Sequence, residues 1–158
     1  MPVNWKKLEE KKALLDRRRP LPKALITNLE EWFKVELTYT SNAIEGNTLS
    51  RSETALVVEK GLTVAGKTLR EHLEAINHDE ALEWIKPSIL KKRRAITERF
   101  ILDLHSVILK KIDDANAGKY RTVRVRIAGS TVILPNPAKV PELMKQFIDW
   151  LHAPKKAP

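Results

Sequence analysis

Residues 68–87 read TLREHLEAINHDEALEWIKP. This stretch decides the fold class, because its punctuation and its period are both helical. Thr68 followed three residues later by Glu71 forms a capping box, the reciprocal pairing that opens helices. Leu69, Leu73, Ile76, Leu82 and Ile85 then recur at helical spacing and are expected to face inward. Pro87 disfavours helical backbone in the residue before it and is expected to stop the helix.

The flanking sequence supplies partners of the same kind. Upstream, Ser50 and Glu53 make a second capping box, and Gly61 ends a short helix. Thr27 and Glu30 make a third, ahead of Leu29, Trp32, Phe33 and Leu37 at helical spacing. That helix is expected to run to about Glu45, where Gly46 can take the left-handed terminating conformation. Leu8, Leu14 and Leu15 mark a first amphipathic segment, closed by Pro20 and Pro22. Downstream, Ile96 and Ile101 flank a cap at Thr97 as a hydrophobic staple. The helix that follows carries Phe100, Ile101, Leu104, Ile108 and Leu109. Pro141 suits the first position of a last helix with Leu143, Met144, Phe147, Ile148 and Leu151.

Between those last two helices the period changes. From Tyr120 to Ile127 the side chains alternate, Val123, Val125 and Ile127 against Arg124 and Arg126. Ala128-Gly129-Ser130 suits a turn, and Thr131 to Leu134 can return as a second strand. The pattern predicts a β-hairpin. The fold class expected is therefore mainly α with one hairpin. Two strands alone are marginal in water, so the hairpin must pack on helices. Its outer edge can accept an extended peptide as an added strand. The charged Arg124 and Arg126 can equally serve to block that edge.

Composition bounds the function. With 158 residues, 42% of them hydrophobic and 31% charged, the chain suits one globular domain. It has no cysteine, which excludes disulfides and cysteine-based metal or redox sites. The start lacks a signal-peptide core, and no stretch reaches the ~18 apolar residues of a membrane helix. The expected location is the cytoplasm, with no membrane partner. The formal charge is +9, carried at Arg17–Arg19, Lys91–Arg94, Arg121–Arg126 and Lys155-Lys156. Basic surfaces attract nucleic acid. These clusters are scattered and lack interleaved aromatics, so a solvated basic surface is the simpler account. His72, His78 and His152 have no metal-ligand spacing, and His105 sits in an apolar helix as a core residue would.

Glu45 has an awkward place. A carboxylate at the C-terminal end of a helix faces the negative end of its dipole, at a cost of ~0.3–1 kcal/mol when exposed. Either a cation from elsewhere joins it, or it is a solvated glutamate that loses little. Ser41, four residues earlier, shares its helical face.

The run Thr40-Ser41-Asn42-Ala43-Ile44-Glu45-Gly46-Asn47-Thr48 resembles the inhibitory motif of Fic (Fic/DOC) proteins: Ser or Thr, three variable residues, Glu, then Gly or Asn. Leu73 to Trp84, Leu104-His105, Gly118-Lys119-Tyr120-Arg121 and Val125 to Ser130 follow in the order that family shows. The resemblance covers about residues 25–152. It implies a Fic-like helical domain, incomplete here, after an N-terminal helical segment (1–24) and before a tail (153–158). The inhibitory helix would span about 27–46 and the hairpin, the family's flap, about 120–134.

The resemblance implies AMP transfer from ATP to a Ser, Thr or Tyr hydroxyl of a target protein, with Mg²⁺. Ser41, Glu45 and Gly46 would form the inhibitory motif, with Glu45 competing with the ATP γ-phosphate for an arginine. Thr122, Val123, Arg124, Val125, Arg126, Ile127, Thr131, Val132 and Ile133 would dock the target on the flap. The family's signature His-Pro-Phe-x-Asp/Glu-Gly-Asn-Gly-Arg is absent from the 158 residues. No catalytic residue or metal ligand is therefore expected in this chain, and ATP and Mg²⁺ binding is expected to be incomplete. Two alternatives stay open: a non-catalytic regulator acting on a Fic enzyme in trans, and a basic nucleic-acid-binding module. A homo-oligomer is compatible with all three.

Overall fold

The computed structural model describes residues 3–90 and 96–153. The basic run Lys91–Arg94, the pair Lys155-Lys156 and the tail beyond Ala153 lie outside them. Among the described residues six α-helices follow one another: α1 (Trp5–Asp16), α2 (Lys23–Ile44), α3 (Arg51–Lys60), α4 (Leu69–Leu90), α5 (Glu98–Leu109) and, after a 3₁₀ turn at Pro137–Lys139, α6 (Val140–His152). None is long and apolar enough to cross a membrane.

α4 is the centre, packed against α2, α3 and α5. It runs antiparallel to α2, as three cross-links show: Lys34 pairs with Asp79 at 2.9 Å, Thr38 Oγ1 lies 3.1 Å from His78 Nδ1, and Lys86 pairs with Glu30 at 3.2 Å. It is antiparallel to α5 as well. The buried Asn77 amide donates to Ile108 O (2.9 Å) and Lys110 O (2.7 Å), and Trp84 packs on Phe100 with ring centroids 4.8 Å apart. The close helix approaches are made by small side chains: Ala75 is wholly buried, and Ala81 nearly so, alongside Val35, Leu49 and Val57.

Local punctuation formed where it is covalently close. Ser50 and Glu53 make their capping box, Thr68 and Glu71 make theirs, and Thr97 Oγ1 accepts from Phe100 N at 3.1 Å. Gly61 ends α3 at φ 64°. Three expectations need correction. α2 starts at Lys23 rather than Thr27, because Pro22 already holds a helix-entry backbone and Ile26 N donates to its carbonyl. α4 runs through Pro87 to Leu90. Proline there forfeits its N–H and crowds the Glu83 carbonyl, but the Lys86–Glu30 pair and the Trp84–Phe100 contact brace the last turns. Leu69 faces solvent, because α4 is enclosed by three neighbours and buries a face centred on Ala75, His72 and Asn77.

The largest correction concerns residues 120–134, where no strand forms and the expected hairpin is absent. The two arms exchange no ladder hydrogen bonds; Ser130 N to Ile127 O, at 3.1 Å, closes only the tip. No helix among the described residues covers the alternating apolar residues, and Val123, Val125, Ile127, Val132 and Ile133 are all exposed. Without a covered face, pairing two short strands has little to offset its entropy. The described fold is all-helical, with this segment as an open loop.

Candidate functional site

The first candidate region is the turn after α2. Glu45 is the C-cap, Gly46 follows with φ 93°, and the chain closes on itself as a Schellman motif. Asn47 N donates to Asn42 O (3.0 Å) and Gly46 N to Ala43 O (3.1 Å). A non-glycine residue at position 46 would be strained by that φ. The Glu45 carboxylate is exposed and pairs with no described residue, and Ser41 is half-buried on the same helical face. Inside the motif, the buried Asn42 Nδ2 has no hydrogen-bond partner among the described residues.

Beyond Gly46 the backbone is pinned to the start of α4. Asn47, nearly buried, donates to Glu71 O and to Glu74 Oε2, each at 3.0 Å. The Thr48 hydroxyl and N–H both donate to Glu71 Oε1, while Thr68 donates twice to Glu71 Oε2. Lys67 clamps the same turn through Thr48 O and an ion pair with Glu53 at 3.7 Å. The Thr48 hydroxyl first, then the Thr68 and Thr48 N–H groups and the Thr68 hydroxyl, push the Glu71 carboxyl down to about 2 from 4.5. The folded value lies below the unfolded one, so this carboxylate's stabilisation is complete above pH 4.5 and is lost as pH falls toward 2. Accordingly, the melting-temperature gap between the wild type and Glu71→Gln should be widest near neutrality and close steadily between those two values. A gap independent of pH would show that the charged form is not what the threonines hold.

The second candidate region is the loop from Thr122 to Leu134. Its base is fixed on α5. Gly118, at φ 68°, lies so close to α5 that a Cβ would meet Leu102 O and Ser106 Cβ at 3.1 Å. Its N–H donates to His105 Nδ1 at 3.1 Å, which gives His105 a structural role. Tyr120 donates to Glu98 at 2.8 Å; burial first, then this carboxylate, push its hydroxyl up to about 12. Arg121 then spans the neck, its guanidinium donating to Val123 O (3.1 Å) and Pro135 O (2.6 Å). The two arms beyond enclose an open cleft of about 990 Å³, lined by Arg124, Val125, Arg126, Ser130, Thr131, Val132, Ile133, Leu134 and Asn136. Thr122, Val123 and Ile127 belong to the same exposed loop but do not line that cleft.

No contact among the described residues joins the two regions. The Glu45 turn rests on the first turn of α4, whereas the loop's base rests beside the start of α5, where α4 ends. About 18 Å of helix axis separates His72 from Trp84. Residues to which the sequence assigned no such contacts hold the two regions: Asn47, Thr48 and Glu71 the turn, Arg121 the loop. A capping glutamate such as Glu71 is legible, but its second set of donors, 23 residues away, is not. Among the described residues no three His, Asp or Glu side chains gather as a cation site.

Comparison with known proteins places this arrangement. Residues 95–158 match the model of the Fic/DOC family. Protein adenylyltransferase Fic of Nematostella vectensis is 37% identical over 113 residues, covering 72% of this chain and 26% of that protein. Protein adenylyltransferase fic-1 of Caenorhabditis elegans is 38% identical over 115 residues, covering 72% and 22%. The chain thus spans about a quarter of the length of these relatives. A Fic-domain-containing signalling protein from Bacteroides thetaiotaomicron superposes with a TM-score of 0.80 at 31% identity, over 94% of this chain and 55% of that one. C. elegans Fic-1 carrying a glutamate-to-glycine substitution superposes with a TM-score of 0.75 at 32% identity, over 95% and 44%. With its helical order, its Ser41–Gly46 turn and these likenesses taken together, the chain belongs to the Fic/DOC family.

Proposed function

We propose that this chain is the regulatory and docking part of a protein adenylyltransferase that transfers AMP from ATP to a hydroxyl of a target protein. The observation that carries this reading is the turn at Glu45: a rigid Schellman closure, pinned to α4, that holds an unpaired carboxylate in the open. A carboxylate so held competes well for a guanidinium, because the planar fork of arginine donates to a carboxylate or a phosphate in the same two-bond geometry. The arginine would come from the family's signature, and ATP with Mg²⁺ would bind there. The names of the relatives support the enzyme class. The exposed apolar residues Leu143 and Phe147 on α6 suit packing by further parts of a Fic domain.

Within this reading the loop 122–134 contacts the target. The test is transfer of label from ATP radiolabelled at the α-phosphate, with Mg²⁺, to protein. A protein that joins this chain to the Fic signature should incorporate label, and this chain alone should not. Incorporation by this chain alone would overturn the division of roles. So would silence of the joined protein after Glu45 has been replaced.

A further inference from the structure

The loop cleft is charged in one sense only. From Ala115 to Pro141 the sequence holds Lys119, Arg121, Arg124, Arg126 and Lys139 and not one Asp or Glu. On the helical body, by contrast, Lys34, Arg51, Lys67, Arg70, Lys86 and Lys110 each find a carboxylate. Arg121 is consumed by two backbone carbonyls at the neck. Arg124 and Arg126 have no hydrogen-bond or ion-pair partner among the described residues, and both line the cleft. Opposite them lie Val132 and Ile133, which are 62% and 95% exposed.

We propose that this cleft selects an acidic target segment, one carrying Asp or Glu together with an aliphatic residue beside the hydroxyl to be modified. The proposal rests on the reading that the loop docks the target, and adds the chemistry of what it docks. Two free guanidiniums favour carboxylates by charge and by fork geometry. The aliphatic side of the cleft favours an apolar neighbour. Excess positive charge also attracts nucleic acid, but no aromatic side chain lines the cleft to stack a base. A polypeptide is the better fit to a cleft that is half basic and half aliphatic.

The experiment pans a phage-displayed library of random decapeptides against the whole chain and against Arg124→Glu/Arg126→Glu. Both positions are exposed, so the variant should fold, and its melting curve verifies that. The wild type should enrich peptides containing Asp and Glu, and the variant peptides containing Lys and Arg. Fluorescence anisotropy on a selected acidic peptide should show about two- to fivefold weaker binding for each arginine changed to glutamine, as for exposed ion pairs. Added salt should weaken the wild type most. Identical pools from the two proteins would overturn the acidic preference. If Val132→Ser/Ile133→Ser then lost that shared pool, docking by the loop would stand without it. No recovered peptide from either protein would overturn both statements. Displacement of the selected peptide from the cleft by a 20-nucleotide oligo-dT at 150 mM salt would assign the cleft to nucleic acid and overturn the proposal.

Discussion

Glu45→Gly, in a protein that joins this chain to the Fic signature, should raise AMP incorporation by about a hundredfold if the proposed inhibitory role holds. The size follows from the competition. A carboxylate that holds an arginine in two hydrogen bonds biases it against a phosphate by about 3 kcal/mol, and that bias corresponds to about two decades in rate. The substitution leaves the helix end in place. Glu45 has φ −84° and ψ 3°, open to any residue, and Gly46 rather than Glu45 bears the positive φ. Removing an exposed carboxylate from the negative end of a helix dipole even relieves a small cost. Activity should therefore rise with the melting temperature unchanged or slightly higher. Glu45→Gln, which keeps the shape and loses the charge, should fall between the two. Label incorporation at wild-type level in Glu45→Gly would leave this carboxylate without an inhibitory role.

The contrast between the two candidate regions shows what a single sequence can disclose. The turn was legible because every determinant is local: Glu45 ends a period, Gly46 supplies the left-handed residue, and the closure involves Asn42, Ala43 and Asn47. The same holds for Ser50 with Glu53 and Thr68 with Glu71, whose donors and acceptors lie three residues apart. What pins the turn was not legible. Asn47 and Thr48 meet Glu71 and Glu74 across more than twenty residues, and nothing in their spacing announces it.

The loop failed for the complementary reason. Alternation of Val123, Arg124, Val125 and Arg126 is a valid strand signal, but a strand also needs a partner and a covered face. Whether a helix covers that face is a tertiary fact. Here Arg121 ties the neck through Val123 O and Pro135 O, taking up backbone groups that a ladder would use. The resemblance to the Fic family identifies this segment with a flap but does not supply the covered face that two paired strands need. The inward face of α4 differs from its spacing on the same ground. Amphipathic spacing identifies one buried stripe, whereas a helix with neighbours on three sides buries small and polar residues such as Ala75 and Asn77, and exposes Leu69.

Asn77 carries the largest stability effect expected of a single side chain here. Its amide has two hydrogens, and each meets a carbonyl at the C-terminal end of α5, Ile108 O and Lys110 O. Helix ends leave such carbonyls without intrahelical donors, so α4 caps α5 through this one residue. At 2% exposure, no solvent replaces what is lost. Asn77→Ala should cost about 2–4 kcal/mol, from two lost bonds and carbonyls left unpaired. At this chain length that is a fall of about 5–15 °C in melting temperature. Asn28→Ala, on the exposed face of α2, should stay within about 0.5 kcal/mol. Asn77→Asp separates hydrogen bonding from shape. Its ionised carboxylate would oppose two carbonyl oxygens, so at neutral pH it should be worse than alanine. Once protonated, it regains one donor, and its deficit should shrink as the pH is lowered. Because α5 also seats Gly118 and Tyr120, the loss should loosen the base of the loop, read as faster amide exchange at Gly118. A melting temperature within 2 °C of the wild type for both variants would refute the capping role of Asn77.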